Sequence, residues 1–143
     1  MFEFPAKIVN KDGNFIVTFR DIPEALTEAD TFEKARDMAV DALVTAMDFY
    51  FEDGRPVPKA TRARKGETVV VLPASVSAKV LLLNAMLGSG VSAAELARRM
   101  HTSPQTVNRI VNLGHATKVD TIASALQALG QRLVIAAEPL PTA

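Results

Sequence analysis

The chain has 143 residues, 48% of them hydrophobic, which is enough apolar material to fill the core of one ordinary domain or two small ones and excludes a disordered polar protein. There is no cysteine, so disulfides, thiolate metal sites and a cysteine nucleophile are excluded, and imidazole chemistry is limited to His101 and His115. The zero net charge hides an asymmetry: residues 1–72 hold ten Lys or Arg against thirteen Asp or Glu, and residues 73–143 hold six against three. An acidic front and a basic back predict different partners, a polyanion for the back. No run of eighteen apolar residues occurs, and residues 1–10 lack a basic stretch followed by an apolar one, so the expectation is a soluble cytoplasmic protein.

Phe4 to Asn10 and Asn14 to Phe19 are β-rich runs separated by Lys11, Asp12 and Gly13, and Asp-Gly favours the positive φ angles of a tight hairpin turn. After Pro23, Asp30 and Glu33 have the spacing of a capping box, which predicts a helix beginning near Thr31. Phe32, Ala35, Ala39, Ala42, Leu43, Ala46 and Tyr50 then recur at helical steps, with Glu33, Arg36, Asp37, Asp41 and Asp48 largely between them. Gly54, Pro56 and Pro58 end that helix. Residues 59–67 read as a polar, basic, solvated linker, whose Arg62, Arg64 and Lys65 are open to DNA contact or proteolysis, and Thr68 to Leu72 reads as a third strand. The predicted class is α+β, with a β-β-α-β domain at 1–72.

Beyond Pro73 the composition becomes rich in alanine and leucine. Val76 to Leu87, Ser92 to Met100, Ser103 to Asn112 and Asp120 to Leu129 are helical patterns, and Arg132 to Ala137 is β-like, so residues 73–143 are expected to form an all-α domain with a terminal β-strand. Ser92 and Glu95 have capping-box spacing, Leu96, Ala97 and Met100 form an inward stripe, and His101 and Thr102 leave room only for a sharp turn. Ser103 is placed to cap the next helix, with Pro104 at its first position, where a missing N–H costs nothing. Val107, Ile110 and Val111 face inward and Gln105, Thr106, Asn108, Arg109 and Asn112 outward. Those outward residues suit a major groove, since Gln and Asn pair bidentately with adenine, Arg pairs with guanine, and Thr touches a thymine methyl.

The stretch LARRMHTSPQTVNRIVNLGHATKVDTIASALQALG resembles the Cro/Xre family of helix-turn-helix repressors. The resemblance covers about a third of the chain and implies base reading by Pro104, Gln105, Thr106 and Arg109, with Asn112 and the loop through Lys118 near phosphates. Pro104 departs from the polar residue often found there and is left to touch a methyl or nothing. Ser103, at the helix start, is available to a phosphate oxygen.

The front half, with its hairpin followed by DIPEALTEADTFEKARDMAVDALVTAMDFYFEDGRPVP, is similar to the HicB family of bacterial antitoxins, which join such a domain to a DNA-binding tail. The resemblance implies an antitoxin that binds a HicA-type mRNA-cleaving toxin with its front domain and represses their shared operon with its back domain. It gives no toxin-binding residues.

That family's front domain is similar to part of the ribonuclease H fold, but the acids here do not read as a metal-dependent nuclease. Glu3 and Asp21 lie on or after the strands, and Asp37, Asp41 and Asp48 follow a solvated helix face. His101 reads as a turn residue and His115 as a surface residue. No catalytic residue, metal site or cofactor is expected.

Phe49, Tyr50 and Phe51 cannot all face one core, and at least one is expected at a protein interface. A single helix-turn-helix makes few phosphate contacts, so a homodimer or higher homo-oligomer, with two copies about 34 Å apart, is expected. Pairing of residues 132–137 across a two-fold axis would satisfy both strand edges. The alternative to an antitoxin is a ligand-responsive transcriptional repressor without a toxin partner.

Overall fold

The computed structural model describes residues 2–141. Strand β1 (Glu3–Lys11) turns through Asp12 and Gly13 into β2 (Asn14–Phe19). Lys11 faces Asn14 across that turn, and the two turn residues have φ of 54° and 85°, the pair of positive angles that marks a type I′ hairpin turn. The sequence reading missed β3 (Leu26–Ala29), which pairs antiparallel with β2. Its surroundings, Glu24 to Ala29, are good helix formers, and pairing to the hairpin overrides that local preference. The front module is therefore β-β-β-α-β. Strand β4 (Thr68–Val71) adds to the other side of β1, giving the order β3-β2-β1-β4, antiparallel throughout.

Helix α1 (Phe32–Asp53) crosses one face of this sheet. Its cap is Thr31 and not Asp30: the Thr31 hydroxyl accepts from the Lys34 backbone N–H at 3.1 Å, while Asp30 forms an ion pair with Lys34. Alanines at 35, 39 and 46 let the helix approach closely, and Leu43, Met47 and Tyr50 fill the space above Phe4, Val17 and Phe19. Gly54, at φ 61°, ends the helix.

The segment expected to be a free linker is pinned. Arg20 donates to the Thr61 hydroxyl, to the Arg62 carbonyl and to Glu67, and the Asp21 carboxylate accepts from both the amide and the hydroxyl of Thr61. Arg62, Arg64 and Lys65 themselves remain exposed.

Four helices follow: α2 (Ala74–Ser89), α3 (Ala93–Arg99), α4 (Pro104–Ile110) and α5 (Val119–Ala128). Leu82, Leu96, Ala97, Val107, Ile122 and Ala125 are the centre of a second core. Helix α2 belongs to both cores, because Val80 is buried with the sheet and α1 while Ala78, Leu82, Ala85 and Met86 are buried with α3 to α5. Its Asn84 side chain both accepts from the Val57 amide and donates to the Val57 carbonyl, at 2.8 and 3.0 Å.

The expected terminal strand is absent among the described residues. Residues 131–141 form no strand, and although Leu133 packs on the second core, Val134 and Ile135 are about three-quarters exposed. The segment instead runs beside α2, the start of α5 and Glu3 of β1 without entering the sheet. Among the described residues no single helix is long and apolar enough to cross a membrane.

Candidate nucleic-acid interface

Helices α3 and α4 are short, so their ends decide their geometry. The Ser92 hydroxyl accepts from the Glu95 amide at 3.1 Å, but the reciprocal half of the expected capping box does not form. The Glu95 carboxylate instead accepts from Arg98 and Arg99 at 2.6 to 3.1 Å, and these guanidinium donors hold its pKa down at about 2. The end of α3 closes with the Thr102 amide donating to the Ala97 carbonyl and the His101 amide to the Arg98 carbonyl, with His101 at φ 57°. His101 is thus a turn residue, in a conformation normally left to glycine.

The Ser103 hydroxyl accepts from the Thr106 amide at 3.2 Å, and Pro104 occupies the first turn of α4. Val107 and Ile110 are buried, which turns Pro104, Gln105, Asn108 and Arg109 outward, all exposed. Thr106 is half-buried and its hydroxyl lies 3.0 Å from that of Ser103, so these two side chains are partly occupied with each other. Among the described residues Gln105 and Asn108 form no side-chain hydrogen bond, which leaves their amides uncommitted.

The connection to α5 is also built. Asn112 is exposed, and its side-chain oxygen accepts from the Gly114 amide at 2.8 Å, which folds the chain back. Lys118, exposed, precedes α5. Seven of the eight residues singled out for DNA contact, Ser103, Pro104, Gln105, Asn108, Arg109, Asn112 and Lys118, are exposed along α4 and the loop after it; Thr106 is the half-buried one.

The sequence reading missed Lys79. This α2 side chain is only 3% exposed, and its ammonium donates to the carbonyls of Asn112 and His115 at 2.5 Å each, while burial pushes its pKa down. The available signal was a lone cation inside an apolar helix, Ala74 to Leu87.

In the front half, Tyr50 is buried with its hydroxyl donating to Glu24 at 2.8 Å, and Arg55 stacks 4.3 Å from its ring centre. Burial, reinforced by the Glu24 carboxylate, pushes the phenol up to about 12. Phe51 packs against the front core. Phe49 is the exposed member of the aromatic triplet, and it lines a groove between α1 and β3 with Leu26, Met38 and Thr45. Glu3, Asp37, Asp41 and Asp48 are exposed, Asp21 is engaged by Thr61, and among the described residues no three acids or histidines come together as metal ligands.

Residues 3–81 match the family model described as a HicB-like antitoxin of bacterial toxin-antitoxin systems, a span that runs past the sheet into α2. The chain is 56% identical to Antitoxin HicB 2 of Photorhabdus laumondii over 134 residues, covering 94% of this chain and 95% of that one. It is 46% identical to Antitoxin HicB of Escherichia coli K12 (85% and 88% covered) and 38% identical to Antitoxin HicB of Pseudomonas fluorescens (96% and 95% covered). With a mixed α+β fold, a matching family model over more than half its length and such relatives over most of it, this chain belongs to the HicB-like antitoxins, a family of regulators and not of enzymes.

Proposed function

We propose that the protein neutralises a small mRNA-cleaving toxin of the HicA type and represses its own operon by binding operator DNA, acting in the cytoplasm as a homodimer. In this reading residues 1–72 bind the toxin and residues 73–143 bind DNA, with α3 and α4 as a helix-turn-helix and α4 in the major groove. The observation that carries the DNA half is the face of α4: Gln105, Asn108 and Arg109 are exposed on a capped helix whose other side is fixed in the core. Polar, nearly uncharged side chains so placed read base edges, while Ser103, Asn112 and Lys118 are positioned for the backbone.

The toxin half rests on family membership and on the exposed groove at Phe49, Leu26 and Met38, since an exposed aromatic beside aliphatic neighbours is the composition of an interface anchor. The dimer rests on the extended tail, where Val134 and Ile135 are exposed without a strand partner and a second copy would supply one. Deleting residues 131–143 is expected to give a monomer by light scattering; a persisting dimer places the interface elsewhere.

The decisive experiment is to co-express the chain with the tagged product of the adjacent small open reading frame, then assay the pair for RNA cleavage and operator binding. A stable complex silent toward RNA, from a partner that cleaves RNA alone, is the expected result. Failure to form a complex, with operator binding intact, overturns the antitoxin half and leaves a ligand-responsive repressor.

A further inference from the structure

Burying a lysine in a helix that is otherwise apolar costs stability unless its donors are used, and Lys79 spends two of its three on a single stretch of backbone. The acceptors are the carbonyls of Asn112 and His115, at either end of the turn that follows α4. Between them, Leu113 packs against the front core, the core that also takes Val76 and Val80 from α2. The loop after α4 is therefore fixed from two directions, by a cation from α2 and by the anchorage of Leu113. A groove of about 320 Å³ lies beside this contact, lined by Val76, Leu113, Gly114 and Thr117 among others.

Resting on the DNA-binding reading above, we propose that Lys79 is a positioning residue for operator recognition: its ammonium, bound to the Asn112 and His115 carbonyls, sets the loop and the end of α4 against the body of the protein. Lys79 itself is too buried to touch DNA. It acts by fixing the end of α4, and with it the presentation of Asn108 and Arg109 to the base edges. The same contact joins that loop to the helix shared by the two cores.

The test measures operator and random-sequence DNA binding by fluorescence anisotropy at one fixed salt concentration for the full chain, Lys79→Met and Lys79→Arg. Lys79→Met keeps the unbranched apolar stem but loses the ammonium and its donors; it is expected to weaken operator binding at least tenfold while leaving affinity for random DNA within about threefold. Lys79→Arg, with the adjacent groove to take its larger head, is expected to restore most of the loss.

Operator binding by Lys79→Met equal to that of the full chain overturns the proposal, as does equal loss in both variants, which marks a role in folding alone. Should Lys79→Met fail to fold, the unaltered protein still decides. A resolved Lys79 ammonium signal in nitrogen-edited NMR that is protected from exchange, and more so with operator bound, supports the proposal, and one that exchanges as freely as exposed lysines in both states overturns it. A full chain that binds no operator at all overturns the DNA-binding reading itself, and this inference with it.

Discussion

In the front half, Arg20 bonds to Thr61, Arg62 and Glu67, residues 41 to 47 positions away, and the sheet places β1 between a neighbour in sequence and a strand that arrives after α1. In the back half, the bonds that start α3 and α4 each span three residues, Ser92 to Glu95 and Ser103 to Thr106. The front is therefore specified by distant partners and the back largely by local signals at helix ends. A surface mounted on local signals can change its outward side chains without disturbing the register of anything else. A surface on the sheet cannot do so as freely, because each strand residue that moves also moves its cross-strand partner.

The strongest way to break this comparison is to damage each core in turn. Leu43→Ala and Leu96→Ala both truncate fully buried side chains, and each is expected to cost about 2–5 kcal/mol in urea unfolding. Because α2 lies in both cores, each variant is expected to unfold in one transition. Fluorescence of Tyr50, the single tyrosine in a chain without tryptophan, reports the front, and far-UV circular dichroism reports all the helices. Separated transitions would show two independent halves.

Next in size, Arg109→Ala is expected to cost about 1–3 kcal/mol of operator binding and almost no stability, since its side chain is exposed and lies on neither core. Phe49→Ser, on the front groove, is expected to cost about 1–2 kcal/mol in a titration against the toxin, with melting unchanged. An unaffected titration would move the toxin surface away from α1 and β3. Ser103→Ala should lower stability by about 1 kcal/mol through loss of the α4 cap.

The last prediction concerns pH. Because folding raises the Tyr50 phenol from its ordinary 10.0 to about 12, the stabilisation this group contributes is complete below pH 10 and is lost as pH climbs through 12. Absorbance titration of the single tyrosine checks it; a midpoint near 10 would mean the Glu24 contact is not held in solution.

Much of the architecture was legible because its signals are local. Asp12-Gly13, the alanine stripe of α1, Ser92, and Ser103 before Pro104 each determine a turn or a helix end by their own chemistry. The exposed side of α4 followed from Val107 and Ile110 facing inward. What escaped depends on competition between partners, most of them remote in the chain. The helix-forming residues around β3 become a strand only because β2 offers an edge, and Glu95 abandons its own helix cap because Arg98 and Arg99 lie one turn further on. Lys79 and Asn84 were hidden in an apolar helix, their roles visible only when Asn112, His115 and Val57 arrive beside them. The β-like composition of 132–137 describes what that segment could pair with, not a partner the single chain possesses.

Asn84 and Lys79 also bear on how such proteins can diversify. A chimera joined before α2 exchanges Asn84 and leaves the Val57 backbone without its two bonds, while one joined at Gly90 parts Lys79 from the loop it holds. Either seam strands buried polar groups, each at a cost of about 1–3 kcal/mol. The two halves are thus harder to trade than to alter in place, and substitution is least constrained at Gln105 and Asn108, exposed side chains that hold no hydrogen bond among the described residues.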